Sequence, residues 1–221
     1  MVQSSPTTYR SSDGDMRGGY EYSADKIRGF GMNRLSGTGC VNRNGAFDFP
    51  VLPYAGGLTD QGALLLPGTD IKPYYLAFDH ADEVGEPGYY SVDLANGVST
   101  ELTATTRTAI SRFDFPADAE SSTLIFDTTG SNNSVFGSGV TIEGSTVSGW
   151  VETAPVCEGG GRYKAYYSAT FDQPIVTSGT WSDGDVTTGS TSASAQKRHG
   201  AGVFVTFPEG QRSPSRRVCP T

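Results

Sequence analysis

From about residue 73 onward, apolar and polar side chains alternate in short runs, the period-two signature of half-buried strands. Tyr74–Phe78 is a compact apolar run. Tyr89, Ser91 and Asp93 then alternate with Tyr90, Val92 and Leu94. Asn96-Gly97 marks a tight two-residue hairpin, since both residue types tolerate positive φ, and Val98–Ala104 follows as the partner strand. Thr106–Phe115, closed by Pro116, and Thr123–Asp127 read as further strands. Val140–Ile142 and Thr146–Val151 flank a turn at Glu143-Gly144. Arg162–Phe171 puts Tyr163, Ala165, Tyr167, Ala169 and Phe171 on one face, and Val176–Trp181 and Val203–Phe207 complete the set. Regular short strands with turn residues between them predict an all-β, antiparallel sandwich or barrel.

The pattern is different at three places. Residues 1–60 are irregular and glycine-rich, with a short helical turn expected around Ala24–Ile27; loops of this kind shape a site or wrap an edge. Ser182–Gln196 is polar throughout and reads as a long loop or a poorly ordered insertion. Residues 209–221 carry three arginines and two prolines in place of the alternation expected after Val203–Phe207, and read as a disordered tail.

Composition narrows the class. The chain has 221 residues, with 29 glycines and 12 prolines, well above the usual ~12% share for the two together. That suits many turns and excludes a helical bundle. The net charge is −8. A nucleic-acid binder needs a basic stripe and an anionic membrane surface needs basic charge, so neither partner is expected; a neutral substrate such as a sugar fits this balance. There is no apolar run long enough to span a membrane and no signal-peptide pattern at the start. The cysteines, Cys40, Cys157 and Cys219, are not spaced for zinc; a Cys40–Cys157 disulfide is one option.

Several clusters carry chemistry in principle. Asp79-His80-Ala81-Asp82-Glu83 places three carboxylates around one histidine, a metal-ligating set. The alternative, a surface turn with His80 bonded to backbone, is preferred because neighbours in a strand face opposite ways. Asp13-Gly14-Asp15 and Asp183-Gly184-Asp185 lack the rest of a calcium loop and read as Asx turns. Ser36–Cys40 lacks the lysine of a phosphate loop, and nothing brings His199 to Cys40. Trp150 and Trp181 are either core residues or exposed platforms for sugar rings. Arg28, Arg34, Arg107 and Arg112 are candidates for hydroxyl or carboxylate contacts.

Five stretches together carry a family likeness: Ile27-Arg28-Gly29-Phe30, Leu35-Ser36-Gly37-Thr38-Gly39-Cys40, Asp79–Tyr90, Glu101–Arg107 and Arg112–Pro116. In order and wording they resemble the N-terminal β-sandwich domain of glycoside hydrolase family 92, the calcium-dependent exo-α-mannosidases. The resemblance runs from Met1 to about Pro208. It implies a galactose-mutarotase-like antiparallel β-sandwich over 1–208, with the family's first strand missing, followed by an aberrant tail at 209–221.

The resemblance also implies a second, (α/α)₆ catalytic domain that holds the acid, the base and most calcium ligands. On this reading the chain is a truncated, bacterial-type α-mannosidase fragment, inactive alone, from a frame cut by a shift or premature stop. Its partners are a mannose-containing glycan and the missing C-terminal domain. Family members are commonly secreted or periplasmic. The substrate-contacting residues are Arg34, Leu35, Ser36, Gly37, Thr38, Gly39 and Cys40; Asn33-Arg34 stand where the family often has histidine. A stand-alone carbohydrate-binding module and a structural domain without ligand are the alternatives.

Overall fold

The computed structural model describes residues 3–12, 19–33, 46–59, 71–155, 160–196 and 200–208, and the backbone of 212–219. Apart from a 3₁₀ turn at Lys72–Tyr74, its regular elements are strands. They are β1 (Ser5–Tyr9), β2 (Lys26–Gly31), β3 (Val51–Tyr54), β4 (Leu76–Glu86), β5 (Tyr89–Leu94), β6 (Ser99–Ala104), β7 (Ala109–Asp114) and β8 (Ser122–Asp127). There follow β9 (Val135–Glu143), β10 (Thr146–Thr153), β11 (Tyr163–Thr170), β12 (Thr177–Ser182), β13 (Asp185–Thr188), β14 (Ser192–Gln196), β15 (Ala201–Phe207) and β16 (Arg212–Cys219).

The strands pair antiparallel into two layers of a β-sandwich. One layer runs β13-β12-β15-β8-β3-β2, with β1 on the other edge of β2; the second runs β4-β5-β6-β7-β16-β11-β10-β9-β14. β4 belongs to both: Leu76 and Ala77 pair with β2, and from Phe78 onward the strand pairs with β5. At the far end β14 closes against β12, with Thr180 Oγ1 donating to the Ser192 carbonyl at 3.5 Å.

The core lies between the layers and is largely aromatic. Phe30 on β2 meets Phe113 on β7 at 5.9 Å between ring centroids. Phe126 on β8 meets Tyr167 at 6.3 Å and Phe171 at 6.0 Å, and Phe171 meets Phe207 on β15 at 5.0 Å. Offset or edge-on ring pairs at such distances add to the gain from burial itself. The face expected on β11 is observed: Tyr167, Ala169 and Phe171 point inward, while Lys164, Tyr166 and Thr170 are exposed.

The structure corrects five local expectations. The expected helical turn at Ala24–Ile27 is instead the entry into β2, whose residues are nearly all buried and so show no alternation. The irregular N-terminal region holds three strands, because β1 and β3 are short and also covered on both faces. The polar stretch Ser182–Gln196 is not one loop: it forms β13 and β14, edge strands whose polar side chains face water. The segment Arg212–Cys219, expected to be disordered, runs as β16 between β7 and β11. Finally, the Asn96-Gly97 hairpin has a three-residue loop. Gly97 N–H donates to the Leu94 carbonyl at 2.8 Å and Leu94 N–H to Val98 at 2.9 Å, and only Gly97 takes positive φ, 82°. That is a type I turn followed by a glycine bulge.

Candidate functional site

The glycine-rich loop leaves the described chain after Asn33 and rejoins it at Ala46. Arg34, Leu35, Ser36, Gly37, Thr38, Gly39 and Cys40 lie outside the described residues, as do Asp13–Asp15, Cys157 and His199. What the structure shows is the loop's footing.

Asn33 and Asp48 close that footing like a clasp. Asn33 Nδ2 donates to Asp48 Oδ2 at 2.6 Å, Asp48 N–H donates to Asn33 Oδ1 at 2.8 Å, and Phe47 N–H donates to the Asn33 carbonyl at 3.1 Å. Tyr163, at the start of β11, donates its hydroxyl to Asp48 Oδ2 at 2.8 Å. Asn133 supports Tyr163 by donating to its hydroxyl at 3.4 Å.

The backbone beside the clasp is strained. Ala46, Phe47 and Phe49 all take positive φ, at 64°, 77° and 58°. Bulky residues seldom adopt this region, and strain of this kind persists only where surrounding contacts enforce it. Phe47 is fully buried, and a Cβ on Gly31 would come within 2.6 Å of its ring. The absence of a side chain at Gly31 therefore lets Phe47 seat against β2.

Asp48 is 1% exposed. Burial pushes its carboxyl above the ordinary aspartate range, and donors from Ser131, Asn33 and Tyr163 pull it back only in part. Among the described residues its Oδ1 has no partner of full hydrogen-bond geometry, and neither do Asn132 Nδ2 and Asn133 Oδ1. Three buried polar atoms at one loop root are thus left with hydrogen-bonding capacity, which is uncommon in a settled core. The Tyr163 hydroxyl is pushed up by burial and by the Asp48 charge.

Arg28 borders the same network. Its guanidinium lies 5.5 Å from the centre of the Phe47 ring and 5.9 Å from that of Tyr75, and donates to Asn132 Oδ1 at 2.5 Å. Asp127, which burial also pushes up, accepts from the Thr129 N–H and hydroxyl at 2.9 Å each, and the Arg28 charge opposes its shift. Of the other singled-out arginines, Arg112 pairs with Glu101 at 2.7 Å and Arg107 is exposed.

The Asp79–Glu83 cluster is resolved differently from the preferred backbone-bonded turn. It is part of β4, and His80 Nδ1 lies 2.6 Å from Glu83 Oε1. Glu83 also accepts from the hydroxyls of Tyr20 and Tyr90, and the exposed Tyr22 ring stacks on His80 at 4.0 Å. Among the described residues no group of three or more His, Cys, Asp and Glu side chains is arranged to hold a metal ion. Trp181 is buried; Trp150 is only partly covered.

Asn33, Asp48 and Tyr163 were not singled out from the sequence as site residues. A signal was present: Asp48 is a lone acid inside Ala46–Pro50, an otherwise apolar run, and a charge there must find partners when it is buried.

The family model for the glycosyl hydrolase family 92 N-terminal domain matches residues 1–216. The chain belongs to this family. The family 92 match extends past Pro208 into β16, the strand that takes the place of the expected tail. Among solved structures, the family 92 glycosyl hydrolase ccman5 is 27% identical with a TM-score of 0.79, and this chain covers 29% of it. A family 92 inverting mannosidase from Bacteroides thetaiotaomicron is 26% identical with a TM-score of 0.74, with 27% covered. All of this chain aligns in both cases. An uncharacterized secreted glycosidase of Arthroderma benhamiae is 32% identical over 100 residues, which is 45% of this chain and 12% of that protein. The chain thus spans less than a third of the length of each of these relatives. The sequence stretches that carry the family 92 likeness outside the glycine-rich loop fall on β2, the β4–β5 hairpin, β6 and the end of β7, and so belong to the scaffold.

Proposed function

We propose that this family 92 domain forms the carbohydrate-facing wall of an α-mannosidase, and that the hydrolytic chemistry belongs to a separate helical catalytic domain. Residues Arg34–Cys40 line the wall; with glycines at 37 and 39, backbone N–H and C=O groups approach a sugar ring without an intervening Cβ.

The clasp at Asn33 and Asp48 carries this reading, because it ties together the two described segments between which residues 34–45 run. The inverting-mannosidase relative supports a mannose-bearing glycan as the substrate. Inverting hydrolysis needs two carboxyl groups far enough apart to admit a water. Asp48 is instead engaged by Asn33 and Tyr163, a holding role. For the calcium that the family resemblance implies, no group of three or more His, Cys, Asp and Glu side chains is arranged among the described residues. Secretion is the proposed destination, supported by the secreted fungal relative.

The test is direct. The purified chain, incubated with α-1,2-mannobiose, is expected to release no mannose, and measurable release overturns the division of labour. In NMR titrations with mannose, resonances of residues 34–40 are expected to shift with millimolar affinity, ~4 kcal/mol of binding. Resonances that stay unmoved through that range reject the wall role.

A further inference from the structure

The outer face of β14-β9-β10-β11 lies apart from the loop root and has no part in the reading above. Its register sets up two neighbouring cross-strand rows. In the first, Ser194, Gly139, Trp150 and Tyr166 stand opposite one another across the four strands. In the second, two residues along, stand Ser192, Thr141, Ser148 and Ser168. Strands lie ~4.8 Å apart and rows two residues apart lie ~7 Å apart, so an aromatic row runs beside a row made wholly of hydroxyls. Together they border a shallow depression of about 700 Å³, within the usual range for small-molecule sites.

The surface is shaped by what is absent at Gly139. A Cβ there would come within 2.6 Å of the Trp150 indole nitrogen, so the indole lies down over β9 instead of standing off the sheet. Tyr166, opposite Trp150 in the pairing, is 49% exposed. Lys164 reaches over from the adjacent row and holds its ammonium 3.8 Å from the Trp150 ring centre. Its flexible stem lets that contact be exchanged for another.

We propose that this groove is a binding site for a neutral oligosaccharide, distinct from the loop at Arg34–Cys40. Three features select that occupant. Both rows are uncharged, and the chain's net charge of −8 disfavours an anionic glycan. Four serines are poor material for a protein interface, whose centre is depleted in serine. An apolar ligand would strip water from the hydroxyl row and give nothing back. A sugar satisfies both rows at once: its hydroxyls pair with the serines and threonine, and a C–H face rests on Trp150 or Tyr166.

The experiment uses the intact chain and isothermal calorimetry with α-1,6-mannotriose, cellotetraose and tetragalacturonate. Saturable binding is expected for at least one of the two neutral sugars and none for the anionic one. Tyr166→Ala and Ser168→Asp, both at exposed or half-exposed positions, are each expected to weaken it at least about tenfold with an unchanged circular dichroism spectrum. Three outcomes overturn the proposal. One is no saturable binding of either neutral sugar up to ~10 mM, a limit of ~3 kcal/mol. Another is binding that survives both groove variants but is lost in Asn33→Ala, which assigns the sugar to the loop. The third is a dimer in sedimentation that Tyr166→Ala dissolves, which gives the face to a second copy of the chain.

Discussion

Asp48 concentrates the chemistry of the loop root, and its pH dependence follows from the direction of its shift. Burial holds its carboxyl, and that of Asp127, above the ordinary 3.8. The folded state therefore binds these protons more tightly than the unfolded chain does. Stability from the two groups is complete below the ordinary value and is lost as pH rises through the raised folded values. The melting midpoint is expected to climb as pH falls through the raised values of these two carboxyls toward the ordinary 3.8, before the shift-lowered Asp25 and Glu101 protonate and reverse the trend. Asp48→Asn should flatten that slope. Its amide oxygen can accept from both Asn33 and Tyr163, and its nitrogen then takes the place of Oδ1. Tyr163→Phe removes a donor from a buried acid and should cost about 2 kcal/mol, read from chemical denaturation. A midpoint that falls steadily on mild acidification would rule out this assignment. The footing was not legible beforehand because its members are far apart in sequence: Asn33 and Asp48 are separated by the loop they close, and Tyr163 stands 115 residues from Asp48.

At the scale of the strand, legibility follows exposure. β5, β6, β10 and β11 each have one wet and one dry face, so alternation reveals them. β2 and β8 are covered on both faces; of the two, only β8 reads as a strand in the sequence, where Thr123–Asp127 centres on the apolar Leu124, Ile125 and Phe126. β13 was hidden by its polar sequence, yet its turn was written in plain form. Asp183 and Gly184 both take positive φ, 56° and 89°, the hairpin geometry for which Asp-Gly is a strong signal; read as an isolated Asx turn, it concealed the strand behind it. Gly184→Val puts a branched side chain into left-handed backbone and should cost about 1–2 kcal/mol. Trp181 pairs with Val186 across this hairpin, so its fluorescence should report the loosening at lower denaturant than in the parent chain. In β16 the register shift between Ser213 and Arg216 brackets Pro214; proline has no N–H to give a ladder and is confined within sheets to edges and bulges.

Across the whole molecule, β4 decides how the two layers behave. It starts in one sheet and finishes in the other, so neither layer can open without straining a strand they share. The aromatic core adds to that coupling: Phe126, 1% exposed, touches Tyr167 and Phe171 from the opposite layer. Phe126→Ala leaves a cavity between layers and should cost about 3–5 kcal/mol. If the sandwich is one cooperative unit, the loss appears as a single transition moved to lower temperature. Far-ultraviolet circular dichroism, which reports both sheets, should then coincide with tryptophan fluorescence, which reports Trp150 in one layer and Trp181 in the other. Two separated transitions in the variant would mean that the layers fold independently and that β4 is only a tether. Coincidence has a functional consequence, since the loop root draws Asn33 from the end of β2 in one layer and Tyr163 from β11 in the other. A domain that opens only as a whole keeps that clasp intact until it unfolds.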